Sequence, residues 1–235
     1  MGKEEALKKN IYPGRGIVAG MTPDGRNLVQ IYWIMGRSVN SRNRIFLQES
    51  KNVRTKAFDE SKLTDPSLVI YYPVREYKNC HIVTNGDQTD TIVNFLSEGK
   101  TFSEALLTRE FEPDIPNCTP RISAMITYEG TNSSLVMSIL KTVDNNHETS
   151  VHNFYRFSGF TPGYGRCIHT YSGDGEPLPS FQGEPYEVTG LHNEMEKTAE
   201  YYWGMLNQEN RVAILTKYID IDTGKTGITI INSLS

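Results

Sequence analysis

Apolar residues in this chain gather into short runs separated by Gly, Asn and Asp, a spacing that belongs to antiparallel sheet rather than to long helices. Residues 16–20 form a brief apolar run, and Pro23-Asp24-Gly25 supplies a turn. Residues 28–35 follow as a nearly unbroken apolar segment that reads as a buried strand, so the three together predict an N-terminal hairpin. Further strands are predicted over 67–72, 80–84, 121–128, 134–140, 151–157, 211–218 and 227–232.

The period changes in two regions. Residues 87–98 place Ile92, Val93, Phe95 and Leu96 on one side and stop at Gly99, a residue suited to the position after a helix end. Thr101 and Glu104 then match a capping box, which opens a second helix through about residue 109. Near the C-terminus Leu191, Met195, Ala199, Tyr202 and Leu206 recur at steps of three and four, predicting an amphipathic helix of about four turns. Two helical regions among many strands predict an α+β domain of stacked sheets flanked by helices.

With 235 residues the chain is expected to fold as one domain over 1–235, with 1–10 as an N-terminal extension. Residues 158–185 stand apart, with six glycines, four prolines and little apolar periodicity. Irregular stretches of that length usually serve function, and with Tyr164, Arg166, His169 and Tyr171 inside it this one is expected to be an ordered lid or pocket wall.

Composition narrows the classes. Apolar content of 37% and charged content of 22% describe an ordinary globular protein. The net charge of −4 argues against a general nucleic-acid binder, although a local arginine cluster can still dominate its own pocket. Cys80, Cys118 and Cys167 are odd in number and widely spaced, which supports neither a disulfide framework nor a zinc knuckle. The five histidines show no metal-ligand spacing, so no metal is expected. The first ten residues lack a signal peptide's apolar core, and no apolar stretch approaches membrane-spanning length. A cytoplasmic protein without a membrane or nucleic-acid partner is expected, with a homo-oligomer as its assembly.

Candidate chemistry begins with the segment GRSVNSRNR at 36–44, which packs Arg37, Arg42 and Arg44 directly behind the predicted strand 28–35. Guanidinium groups clustered at a strand end suit a bound phosphate, because each planar fork donates two parallel charge-assisted bonds. TNGDQTDTI at 84–92 joins a strand end, a tight turn and a helix start, a natural place for an anion or carbonyl near Asn85, Gly86 and Asp87. The competing structural reading has Asp87, Thr89 and Asp90 cap the helix. YPGRGI at 12–17 carries Arg15 and NCTPRI at 117–122 carries Arg121, both at strand starts. These two arginines have a structural alternative as partners of Asp87 or Asp90.

YPGRGI, GRSVNSRNR, TNGDQTDTI and NCTPRI occur in this order, and the set resembles the archaeal-type IMP cyclohydrolase family of purine biosynthesis. The resemblance runs from about Tyr12 to Thr142, departing from the pattern in the N-terminal extension, in Cys118 within NCTPRI, and after Val151. It implies a fold like that of the N-terminal-nucleophile hydrolases: a four-layer αββα sandwich with two mainly antiparallel sheets between helix layers. It does not imply their terminal nucleophile, and Met1-Gly2-Lys3 offers no Ser, Thr or Cys in first place.

The implied reaction closes 5-formamidoimidazole-4-carboxamide ribotide (FAICAR) to inosine monophosphate and water, with no cofactor. By the same resemblance the catalytic roles fall to a glutamate, a tyrosine and an arginine. The glutamate maps to Glu112, with Glu110 as the alternative; the tyrosine to Tyr71, with Tyr72 adjacent; and the arginine to Arg37 or Arg42. Taking Glu112, Tyr71 and Arg37 as catalytic leaves Arg15, Arg42, Arg44, Asn85, Gly86, Asp87 and Arg121 to bind the ribotide. A non-catalytic nucleotide binder and an N-terminal-nucleophile amidohydrolase are the alternative functions.

Overall fold

The computed structural model describes residues 3–64, 66–143 and 146–234, which leaves residues 1, 2, 65, 144, 145 and 235 outside. A short helix, α1 (Lys3–Lys9), precedes the expected hairpin of β1 (Gly16–Met21) and β2 (Asn27–Met35). The two strands pair antiparallel, Gly16 opposite Trp33 and Met21 opposite Leu28. Helix α2 (Val39–Arg42) is a single turn, and β3 (Arg44–Glu49) with β4 (Asn52–Ala57) forms a second hairpin.

β5 (Val74–Tyr77), β6 (Cys80–Thr84), helices α3 (Gln88–Ser97) and α4 (Phe102–Leu106), β7 (Arg121–Thr127), β8 (Ser134–Val143) and β9 (Asn146–Phe157) follow. The chain ends with β10 (Gly165–His169), β11 (Tyr186–Val188), α5 (Met195–Met205), β12 (Arg211–Asp220) and β13 (Thr226–Asn232).

The strands build two sheets in which every pair is antiparallel, so the protein is α+β with two antiparallel sheets and few helices. One sheet takes β3 to β9 in chain order, and the other runs β11-β10-β1-β2-β12-β13. Alternation along β7 and β8 sends Ile122, Ala124, Ile126, Leu135, Met137 and Ile139 into a core shared with the facing sheet. Met125, Val136 and Leu140 turn the other way and pack with Ile92, Phe102 and Leu106 of α3 and α4.

β2 is buried on both faces, which explains its unbroken apolar run. Tyr32 meets Phe46 of the facing sheet, while Trp33 stacks on Tyr202 of α5 with ring centroids 6.5 Å apart. The close approach is absolute at Gly16, where an added Cβ lies 1.9 Å from the Trp33 indole. Gly16→Ala is therefore expected to destabilise the fold by about 1–3 kcal/mol, read from chemical denaturation; an unchanged midpoint refutes the packing account.

Capping follows the sequence pattern at α4. Thr101 Oγ1 accepts from the Glu104 N–H at 3.2 Å, and Glu104 Oε2 accepts from the Thr101 N–H at 2.8 Å. The helix is shorter than predicted, ending at Leu106. α5 likewise starts at Met195, with Leu191 buried ahead of it in an irregular approach.

Residues 67–72 are not a strand, contrary to their β-rich composition. Pro66 carbonyl accepts from the N–H groups of Val69 and Ile70, winding 66–70 into a turn. Tyr71 then meets Thr55 of β4: its N–H donates to Thr55 Oγ1 at 2.8 Å and its carbonyl accepts from the Thr55 N–H at 2.9 Å. β10 lies within the stretch read as irregular, and it pairs with β1 from Gly16 opposite His169 to Gly20 opposite Gly165. At the far edges Asn232 of β13 accepts from the Phe46 N–H and donates to its carbonyl, joining the two sheets.

Candidate active site

Three of the sequence motifs converge on one cleft of about 530 Å³, lined by Tyr12, Arg15, Arg37, Glu112, Asp114 and Tyr171 among others. Arg15 enters it from the start of β1, where its backbone is held by Thr170: the Arg15 N–H donates to Thr170 Oγ1 at 3.1 Å, and its carbonyl accepts from the Thr170 N–H. The Arg15 guanidinium pairs with Glu112 at 3.3 Å, and both side chains are largely buried.

Glu112 sits in the polar turn before NCTPRI and is 1% exposed. Its N–H donates to the Thr119 carbonyl at 2.8 Å, which clips the turn shut. Its Oε1 accepts from Asn85 Nδ2 at 3.2 Å. Asn85 is itself fixed at both ends: Oδ1 accepts from the Ile122 N–H and from Gln88 Nε2, and Nδ2 donates to the Pro120 carbonyl. TNGDQTDTI and NCTPRI thus meet to aim one carboxylate.

Burial raises the Glu112 pKa above its usual value, against the pull of Arg15 and Arg121. Burial acts to discharge Arg15, but the Glu112 carboxylate and the surrounding tyrosines outweigh it and keep the guanidinium charged. A buried carboxyl with a raised pKa beside a fixed cation is the kind of group that can act as a general acid or base.

Arg44 supplies the second cation. It is completely buried, and its Nε donates to the Ser41 carbonyl at 2.8 Å. Its Nη1 and Nη2 have no hydrogen-bond partner among the described residues, and neither does Arg15 Nε. Buried guanidinium donors are rarely left unmatched, so these three atoms could donate to an oxygen not supplied by the described residues. Arg44 is coupled electrostatically to Tyr71, Arg15, Tyr32 and Tyr12, with burial acting first to lower its pKa.

The hydroxyl of Tyr71 stands in the same cluster, 2.7 Å from that of Tyr32. Tyr72 faces elsewhere and donates to Glu49 Oε2 at 2.8 Å. The stretch 158–185 forms one wall: Tyr171 stacks on Tyr12 at 5.9 Å, its hydroxyl meets Thr119 Oγ1, and Glu176 and Leu178 face the cleft. Arg37 lies at the rim, 33% exposed, over the Tyr12 ring and paired with Asp174 at 2.7 Å.

Other predicted residues stand apart from this cleft. Arg42 turns back to the Gly36 carbonyl and to Asn210. Arg121 donates to Asp87 at 2.7 Å and to Gln88 at 2.8 Å, and Arg109 holds the same Asp87 carboxylate. Asp87 is the residue before α3, but its side chain makes no cap bond there. Gly86 lets Arg121 and Gln88 pass, since an added Cβ lies 2.6 Å from each. Tyr32 and Tyr171 were missed as site residues. Tyr171 carries no signal beyond lying in a suspect loop, and Tyr32 is hidden inside an apolar run.

A buried carboxyl paired with Arg15 at the cleft, with the buried Arg44 and the Tyr71 phenol in the same electrostatic cluster behind it, is an arrangement suited to a small polar substrate and to proton transfer. Residues 12–225 match the family described as IMP cyclohydrolase-like protein, and the chain belongs to that family. Among curated relatives, it is 34% identical over 116 residues to the IMP cyclohydrolase of Methanopyrus kandleri, an alignment covering 48% of this chain and 57% of the relative. It is 28% identical over 124 residues to the IMP cyclohydrolase of Methanosphaera stadtmanae, covering 51% of this chain and 60% of that protein. The aligned part thus spans somewhat more than half the length of each relative.

Proposed function

We propose that the cleft closes FAICAR to inosine monophosphate and water. The observation that carries this reading is the buried donor cluster: Arg44 Nη1 and Nη2 and Arg15 Nε meet no acceptor among the described residues, beside a carboxylate whose pKa burial raises. Family membership and the two relatives' names support it.

The substrate already carries both reacting groups, so the protein has to hold the near-attack rotamer, move protons and stabilise one oxyanion. In the proposed sequence the carboxamide nitrogen attacks the formyl carbon and loses a proton to Glu112. The formyl oxygen becomes an alkoxide, is stabilised by Arg44 and takes a proton from Tyr71. Glu112 then returns its proton to the departing hydroxyl, which leaves as water. The phenolate of Tyr71 removes the former formamide N–H proton as the ring double bond forms. Both residues end as they began, and no metal or redox group enters the steps.

Arg44 takes the oxyanion role, in place of Arg37 or Arg42, to which the resemblance gave the part of the catalytic arginine, because among the described residues it is the buried guanidinium with two unmatched donors. Arg37 at the rim suits the ribotide 5′-phosphate, whose binding energy is remote from the reacting atoms. Asn85 serves by aiming Glu112. Arg121, Asp87 and Gly86 form the support beneath it, and Arg42 buttresses the segment that carries Arg44.

For the fold we infer the four-layer arrangement of the N-terminal-nucleophile hydrolases. α3 and α4 lie outside one sheet and α5 outside the other, which supports that layering. The ribotide is the expected partner, in a homo-oligomer that binds no nucleic acid.

Purified protein given FAICAR is expected to generate the purine absorbance of inosine monophosphate far above the uncatalysed rate. Tight binding of the product with no turnover would instead make the protein a nucleotide binder.

A further inference from the structure

The cyclohydrolase reading leaves Tyr32 unused, although it touches the phenol that reading relies on. Its hydroxyl lies 2.7 Å from that of Tyr71, and distance alone does not say which oxygen donates. Each hydroxyl has one proton to give. The surroundings decide the direction.

Tyr32 is completely buried in the middle of β2, clamped by Ile17 of β1 on one side and Leu215 of β12 on the other. Phe46 packs against its ring from the facing sheet. The charged groups that bear on it are Arg15 and Arg44, cations whose guanidiniums hold donors and no acceptor. Among the described residues its hydroxyl has Tyr71 as its one hydrogen-bond partner.

Were Tyr71 the donor, the Tyr32 proton would be left in a dry site facing cations and rings, a desolvated donor with nothing to meet. With Tyr32 as the donor, its proton is matched and the Tyr71 oxygen accepts. Tyr71 bears on Arg15 and Arg44 more strongly than Tyr32 does, and its proton is then turned away from Tyr32 and left for the oxygen of a bound substrate. Burial, and then the neighbouring Tyr71, push Tyr32 well above its ordinary value, so it keeps its proton throughout.

We infer that Tyr32 is a positioning residue that donates its hydroxyl proton to Tyr71 and thereby presents the Tyr71 proton to the reacting oxygen. Its catalytic consequence rests on the proposed cyclohydrolase function; the direction of the bond does not. The backbone geometry fits the role. Tyr71 is pinned through its own N–H and carbonyl to Thr55, and Tyr32 is held in two ladders, so the backbone that carries each phenol is fixed. The pair also links β2 to the segment held on β4 of the facing sheet, which makes the alignment of one sheet on the other part of the proton's aim.

Two measurements separate the parts. Tyr32→Phe removes one buried oxygen and keeps the ring, so the variant is expected to unfold near the wild-type temperature. With FAICAR its kcat is expected to fall about 10- to 100-fold while KM stays within about two-fold. In a Tyr71→Phe background the same change should cost nothing further, because the proton it aims is gone. An unchanged kcat, or losses that multiply in the double variant, overturns the positioning role.

If the wild-type protein fails to turn FAICAR over, the proposed function falls and the bond direction is still decided by neutron diffraction from the deuterated protein. A deuteron on Tyr32 Oη pointing at Tyr71 Oη upholds the inference. One on Tyr71 pointing at Tyr32 overturns it.

Discussion

Glu112→Gln is expected to lower turnover by about 10²- to 10⁴-fold, the range that a positioned acid/base group contributes. The variant keeps the size of the side chain and its Oε1, yet it has no proton to cycle. Because burial raises the carboxyl's pKa, the wild-type rate should climb with pH through a midpoint above the ordinary glutamate value of about 4.3. That acidic limb should vanish in Glu112→Gln.

Stability moves in the opposite sense. A carboxyl whose folded pKa is raised favours the folded state most below the unfolded pKa and loses that contribution as pH rises through the folded value. Arg15 and Asn85 both present donors to this side chain, so the glutamine amide must set an N–H against one of them. A cost of about 1–3 kcal/mol is expected in denaturant unfolding. Ribotide binding, in contrast, should survive. Turnover within ten-fold of wild type, with the acidic limb intact, would mean that another residue moves the proton.

A second large effect is expected at a buried ion pair outside the cleft lining. Lys217 of β12 is completely buried and lies 2.7 Å from Glu76 of β5, which also meets Lys51 at 3.4 Å and His81 at 3.5 Å. Burial works to neutralise Lys217 and lowers its pKa. Glu76 is pulled the other way: burial acts to raise it, but His81 and Lys217 outweigh that and hold it far below the usual carboxylate range.

Glu76→Gln strands the Lys217 charge between the sheets and should cost about 3–5 kcal/mol. Adding Lys217→Met should recover most of the loss, since a buried ion pair is worth little more than apolar groups of its size. Since the folded pKa of Glu76 is depressed, its contribution is present above the unfolded value of about 4.3 and is lost as pH falls. The gap between wild type and Glu76→Gln should therefore narrow in acid. A gap that persists unchanged down to strongly acidic pH, or a double variant no better than the single, would sink the ion-pair account.

Much of this architecture was legible because period and capping are local. β1, β2, β6, β7, β8, β12 and β13 follow from apolar alternation or from runs buried on both faces. β4 was overlooked although Val53, Thr55 and Ala57 alternate inward between Arg54 and Lys56, because threonine and alanine do not register as an apolar run. The turn at 66–70 is opaque for the opposite reason: a β-rich composition says nothing about whether a ladder partner is within reach, and a Thr55 side chain takes the bond instead.

The site divides along the same line. Arg15 and Asn85 sit in motifs that could be collected from their order along the chain, whereas Glu112, which touches both, came only from the family resemblance. Which arginine of GRSVNSRNR matters could not be read from order, since spacing treats Arg37, Arg42 and Arg44 alike. Burial separates them: Arg37 reaches Asp174 at the rim, Arg42 braces Gly36 and Asn210, and only Arg44 goes inside with two donors unmet. Tyr32 shows the limit most plainly, as one hydroxyl within an otherwise apolar strand.

The clasp between Asn232 and Phe46 bears on how the protein avoids sticking to itself. An open sheet end displays unpaired backbone groups that can recruit a strand from another molecule. The clasp ties the β3 end to the β13 end, and α1 lies along β11, where Glu4 accepts from the Thr189 N–H. Three of the four ends are thus shielded. The fourth, β9, carries exposed Asn146, His147 and Glu148 along its first turn of chain, polar groups that discourage indiscriminate pairing.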